Sequence, residues 1–189
     1  DDFESLAYHY SESGNLQEGL AYSLKAGERA IGLSAYNEAL KYLDRALEIA
    51  EAQSLTDESI RILESIGDVQ SGRDFNRSVA AYQRAMELSP SREKQAELKA
   101  KIGTVNALSG DERGLPLLEE AISELDPATQ ASQLAQAIAS LGRFYHNRGQ
   151  HGQAIEHLER ARQIAEPIED PGALLYIYTY LAGAYQHFA

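Results

Sequence analysis

Histidine is the side chain best suited to bind a metal or move a proton near neutral pH, and this chain has five. Three of them, His146, His151 and His157, fall close together. His151 and His157 are six apart, which on a helix puts them on different faces and spoils a two-ligand site. His146 and His151 straddle Gly149 and could approach each other across a tight turn, but no carboxylate completes a ligand set. Acidic neighbours such as Glu119 with Glu120, or Glu169 with Asp170, could serve as acid and base. In so acidic a chain nothing separates them from a solvated helix face. Cysteine is absent, which excludes thiolate ligands, thiol nucleophiles and disulfides. None of the patterns G-x-x-x-x-G-K-[ST], G-x-G-x-x-G or H-E-x-x-H occurs, and no serine follows a strand in a nucleophile elbow. No catalytic residue, metal site or cofactor is therefore expected.

The net charge is −12. A surface this acidic repels phosphate backbones, and the seventeen Lys and Arg residues are dispersed among acids without forming a basic patch. Nucleic acid is not an expected ligand. No apolar run is long enough to span a membrane and no secretory leader opens the sequence. Together with the missing cysteine, this fits a cytoplasmic protein. Hydrophobic residues make up 43%, enough for a continuous core. Asp1-Asp2 at the start, and a last segment ending at Ala189 without a polar tail, read as a piece cut from a longer protein.

What would position any functional residue is a run of amphipathic helices. Residues 2–13 carry Phe3, Leu6, Ala7 and Tyr10 at helical spacing, and Ser13-Gly14-Asn15 ends that helix. Residues 16–31 follow, and 35–52 form the strongest amphipathic segment, with Tyr36, Ala39, Leu40, Leu43, Ala46, Leu47 and Ala50 on one face. Gly32 to Ser34, Gly72, Gly110 and Gly149 mark turns, and Pro90, Pro127, Pro167 and Pro171 mark closures. The expected organisation is a leading helix within 1–15, then an array over 16–189. Its pairs run 16–52, 56–88, 91–125 and 128–166, and an unpaired helix covers 173–188.

Spacing supports repetition. Ala39 and Ala46, Ser78 and Ala85, Leu115 and Ile122, and Ala154 and Ala161 are each seven apart. From Gly67 to Gly103 is 36 positions and from Gly103 to Gly142 is 39. Each of these glycines lies inside a helix, at a cost of about 0.5–1 kcal/mol relative to alanine. The cost makes sense where a missing side chain lets a neighbouring helix, carrying Leu158 or Tyr82, approach closely.

The segment from Leu134 to Glu166 resembles the tetratricopeptide repeat family. Ile138, Leu141, Gly142 and Tyr145 take the places of W-x2-L-G-x2-Y, Gly149 the turn, and Ala154, Leu158, Ala161 and Ala165 the second helix. Ile66-Gly67, Ile102-Gly103, and Tyr178 with Leu181, Ala182 and Tyr185 look like weaker copies. Tryptophan is absent, so Ile138, Leu63, Lys99 or Tyr178 stands where the family has its bulky aromatic. The resemblance implies an all-α, right-handed superhelical solenoid of antiparallel helix pairs, about ten helices in all. Residues 6–51 further resemble the segment that follows the ATPase module in bacterial multidomain signal-transducing regulators, on the Leu6-Ala7-Tyr8-His9-Tyr10, Ala26-Gly27-Glu28-Arg29-Ala30 and Ala35-Tyr36-Asn37-Glu38-Ala39 runs.

In that family the first helices line a concave groove that takes a peptide or protein partner. The matching places here are Arg61, Glu64, Asp68, Thr104, Arg143, His146, Asn147, Tyr176, Thr179, Tyr180 and His187. Chaperone-docking relatives clamp a terminal carboxylate with Lys and Asn; here Glu64, Asp68, Ala100 and Thr104 occupy those places, so that ligand is not implied. Arg143, His146 and Asn147 with Tyr176 and Tyr180 combine donors with aromatic anchors and form the strongest candidate. A second reading covers the tyrosine face with a further helix, or with a second copy in a homodimer through the C-terminal helix.

Overall fold

The computed structural model describes residues 15–188, together with Phe3 and Leu6. The expected leading helix at 2–13 lies outside the described residues. Nine helices and no strand occur among those that are described: α1 Leu16–Gly32, α2 Tyr36–Ala52, α3 Thr56–Gln70, α4 Phe75–Leu88, α5 Arg92–Leu108, α6 Gly114–Glu124, α7 Ala131–Asn147, α8 His151–Ala165 and α9 Pro171–Phe188. The chain divides into two compact units, Asp1–Ser89 and Pro90–Ala189. In the first, α1 packs on α2 and α3 on α4, and α2 joins the two pairs through α3. In the second, α5 packs on α6, α7 on α8, and α9 lies against both α7 and α8.

One packing device recurs in all four pairs. Each second helix buries a small residue, a large one four places on, and a small one three places further. The sets are Ala39, Leu43 and Ala46; Ser78, Tyr82 and Ala85; Gly114, Leu118 and Ala121; and Ala154, Leu158 and Ala161. That spacing keeps the three on one face of a helix. The large residue sits against a glycine of the preceding helix. A Cβ on Gly67 would stand 2.6 Å from Tyr82 Cδ1, one on Gly103 2.8 Å from Leu118 Cγ, and one on Gly142 2.5 Å from Leu158 Cγ. At Gly27 the corresponding contact with Leu43 is a looser 3.4 Å. The helical glycines thus trade helix propensity for close approach, and the buried leucine or tyrosine recovers the loss through packing.

The third pair corrects the sequence reading. Leu115 and Ile122, expected at the small-residue places, are only partly buried, and the face is shifted by one to Gly114, Leu118 and Ala121. Gly114 has no assigned place in the sequence reading. In space its α-carbon meets the partner helix so closely that a Cβ would lie 2.5 Å from Gly103 O. Neither leucine nor isoleucine fits there.

The turns also differ from a glycine-only reading. Gly110 and Gly149 adopt left-handed φ of 80° and 73°, but Gly72 does not, and Ser34, Ser54 and Glu169 do so without being glycine, at 58°, 56° and 52°. Ser34, Ser54, Gly110 and Gly149 are each followed by an N–H that reaches back into the helix. Ala35 donates to Ala30 O, Leu55 to Ala50 O, Asp111 to Asn106 O and Gln150 to Tyr145 O, at 2.8–2.9 Å. This is the Schellman closure, which satisfies orphan carbonyls at a helix end. The hydrogen bond and the packing on either side hold serine in a conformation that costs an L-residue about 1–2 kcal/mol.

Pro171 opens α9 where the sequence reading has it close a pair. Its missing N–H is harmless in a first turn. The Asp170 carboxylate caps the same turn, accepting from Ala173 N at 2.9 Å and from the Ser132 hydroxyl on α7. These bonds hold the Asp170 carboxyl below its ordinary pKa, the Ala173 amide contributing most. The start of α9 is therefore pinned to α7 by a charge that persists well below neutral pH.

Candidate functional site

The second unit gathers most of the predicted groove residues onto α7 and α9. Gly142 and Tyr145 face α8, so Arg143 and His146 are left on the side that α9 covers. On α9, Ala173, Ile177, Leu181 and Ala184 form the buried seam. Tyr176, Tyr180, Gly183 and His187, spaced four, three and four apart, run beside it as a second stripe. Glycine at 183 lets the two helices close, since a Cβ there would lie 3.0 Å from His146 Cε1.

The result is a continuous aromatic and cationic ladder. Tyr176 and Tyr180 stand 4.9 Å apart between ring centres. The Arg143 guanidinium lies 5.2 Å from the Tyr180 ring and 6.0 Å from Tyr176, within cation–π range. Tyr180 meets His146 edge-on at 5.9 Å. His146 is 5.4 Å from His151 and 6.3 Å from His187, and His151 stacks on His187 at 5.1 Å. Arg143 has no carboxylate partner among the described residues, whereas Arg162 bridges Glu159 and Glu166 and Arg148 pairs with Glu112. Arg143 Nε, His146 Nδ1 and His151 Nδ1 are buried without a hydrogen-bond partner in the protein. Burial pushes the Tyr176 phenol above its ordinary pKa, against a smaller opposing pull from Arg143. An open cleft of about 470 Å³ adjoins the ladder, lined by Gly149, Gln150, His151, Gly152, Gln153 and His187.

The remaining predicted residues are placed differently. Asn147 is exposed at the last position of α7. Thr104 on α5 meets Ser140 on α7, hydroxyl to hydroxyl at 3.1 Å, and so ties two helices of the second unit together. Thr179 is exposed and its hydroxyl donates to Leu175 O within α9. Arg61 and Asp68 belong to α3 of the first unit. Arg61 is highly exposed, with Glu58 at 3.9 Å. The Asp68 carboxylate accepts the Tyr82 hydroxyl at 2.6 Å.

The approach of His146 and His151 across the Gly149 turn was readable in the sequence, and the structure places them 5.4 Å apart. Sequence reasoning missed Gly183 and the stack of His151 on His187. The stripe on α9 was readable from spacing, but its meeting with His151 depends on how α9 crosses the end of the α7–α8 pair. Among the described residues no group of three His, Asp or Glu side chains is placed to hold a metal ion. Nor is any helix among them long and apolar enough to cross a membrane.

Comparison with known proteins follows the same lines. Residues 137–171 match the tetratricopeptide repeat family. Among solved structures, MamA protein superposes with a TM-score of 0.58 at 18% identity, over 91% of this chain and 89% of that one. BtubC (BKLC) from P. vanneervenii gives 0.58 at 17% identity, over 91% and 84%. No curated protein sequence matches. At such identities the likeness speaks for the fold alone. The chain is an all-α assembly of antiparallel helix pairs of the tetratricopeptide kind, and residues 137–171 carry the repeat itself.

Proposed function

We propose that this chain is a non-catalytic protein-interaction module that binds a peptide or protein partner along the α7–α9 face. The observation that carries the proposal is Arg143: a half-buried cation without a carboxylate partner, backed by two tyrosine rings, in a protein of net charge −12. Large aromatic anchors beside an arginine are the composition of binding hot spots. Asn147 and His187 lie at the rim of the same face. Arg61, Asp68 and Thr104 are assigned to the groove of their own units, with Asp68 and Thr104 also holding their helices in place. The resemblance of residues 6–51 to regulator segments supports placing the module as a sensing arm of a larger cytoplasmic regulatory protein.

The test is selection of a displayed random-peptide library on the purified chain, with recovered peptides measured by calorimetry. Arg143→Ala and Tyr180→Ala are each expected to weaken binding at least about tenfold, roughly 1.4 kcal/mol, without loss of helicity. Unchanged affinity in both variants would remove the α7–α9 face from the proposal.

A second reading, self-association through α9, is favoured by an exposed apolar stripe. Leu175, Tyr178 and Tyr185 are 73%, 47% and 50% exposed, a surface of the kind that pairs with another helix. Sedimentation at rising concentration distinguishes it: a dimer abolished by Leu175→Glu supports this reading, and a persistent monomer rejects it.

A further inference from the structure

We propose that His146, His151 and His187 form a proton-sensitive latch, which holds the C-terminal half of α9 on the α7–α8 turn and releases it on mild acidification. The inference stands on the clustering of three imidazoles from three helices and does not depend on the peptide reading.

Each helix supplies one ring. His146 comes from the last turn of α7, His151 from the first turn of α8, and His187 from the last turn of α9. Their centres lie 5.1–6.3 Å apart. Neutral imidazoles stack at such distances. Protonated ones crowd like charges around His146 and disfavour its charged form.

The surroundings offer no compensation. From α7 the nearest charge is Arg143, itself cationic. From α9 the facing groups are the phenols of Tyr176 and Tyr180, and the backbone at Gly183 closes against His146. On the turn, Arg148 is engaged with Glu112. The acids on and just after α8 act elsewhere: Glu156 is exposed beside His157, and Glu159 and Glu166 take Arg162, Tyr185 and Tyr178. Among the described residues no carboxylate bonds to any of the three imidazoles.

His146 is accordingly held below its ordinary pKa, first by burial and then by His151 and His187. A base with a depressed folded-state pKa binds its proton more readily when released. The contribution of the latch is therefore complete above the free histidine value near 6.5 and is lost as pH falls below it. Asp170, which pins the other end of α9, keeps its charge through this range. Opening is thus confined to the end of α9 beyond Tyr180, and it uncovers His146, against which Gly183 closes.

Native-state hydrogen exchange on the whole chain tests this, with rates corrected for intrinsic pH dependence. Between about pH 7.5 and pH 5.5, protection of residues 181–187 is expected to fall roughly tenfold, while that of residues 173–177 changes little. The triple variant His146→Gln, His151→Gln, His187→Gln should lose the pH response. His157→Gln should keep it, although the His157 imidazole, stacked on Tyr145 at 5.2 Å, is also held below its ordinary pKa by burial. A uniform fall along α9, or a response that survives in the triple variant, would overturn the latch. Imidazole NMR titration of the unmodified chain gives an independent reading: a His146 transition at the ordinary histidine value would overturn it as well.

Discussion

Gly142→Ala is expected to destabilise the second unit by about 1–3 kcal/mol, although alanine is the better helix former by roughly 1 kcal/mol. Overpacking decides the sign. The new Cβ would lie 2.5 Å from Leu158 Cγ and 3.2 Å from Ala154 O, and Leu158 is fully buried, so neither the side chain nor the backbone can move aside cheaply. Leu158→Ala alone is expected to cost about 2–5 kcal/mol by opening a void. The double variant is the sharper measurement. The added methyl then enters the space that the leucine vacates, so the combined loss should fall short of the sum by about 1 kcal/mol or more. Urea unfolding of all four proteins closes the cycle, and strict additivity would mean that these two residues do not compete for one space.

Tyr82 is the corresponding residue of the first unit, with a larger expected effect. It is the bulkiest fully buried side chain there, and its ring fills the room left by Gly67. Tyr82→Ala should cost about 3–5 kcal/mol. Tyr82→Phe should cost only about 0.5–1.5 kcal/mol, because it keeps the ring and loses one bond to Asp68, whose exposed carboxylate water can solvate. The two substitutions separate packing from hydrogen bonding. They also differ at high pH. Burial first, and then the Asp68 charge, raise the Tyr82 phenol above its ordinary pKa. The folded state therefore keeps a proton that the unfolded state gives up near pH 10, and stability falls as pH rises beyond that value. Alkaline unfolding of the first unit should be shallower in Tyr82→Phe, as followed by circular dichroism.

Much of this fold was legible in the residues. Leucine and alanine at helical period announce paired helices, and a glycine inside a helix announces close approach, as Gly67, Gly103 and Gly142 show. Legibility ended where one residue type serves two purposes. Glycine marks the turns at Gly110 and Gly149, yet Gly114 packs against Gly103, which moved the face of α6 by one place. Ser34 and Ser54 take left-handed turns that propensity assigns to glycine, because the helix-closing hydrogen bonds outweigh a modest local strain. Helix α5 shows little amphipathicity because it is packed on more than one side, with Ala96, Leu98, Ile102 and Val105 all buried. At the candidate site, Arg143, His146, Tyr176, Tyr180 and His187 share one face of the second unit, and Thr104 joins it through Ser140. The Gly149 turn brings His151 to His146, as their spacing suggests, whereas its stack on His187 follows from the crossing of α9, a tertiary relation with no local sequence signal.

Partnership between chain neighbours has a kinetic meaning as well. In either unit a helix finds its contacts in the next helix or the one after, so no distant strand or terminus has to be captured first. Loop closure between near neighbours is entropically cheap, and folding rates rise as contacts become more local. Each pair can bury its small-large-small face once its second helix has been synthesised, while the rest of the chain is still on the ribosome. A slow folding phase in this protein should therefore be sought in its prolines rather than in its topology.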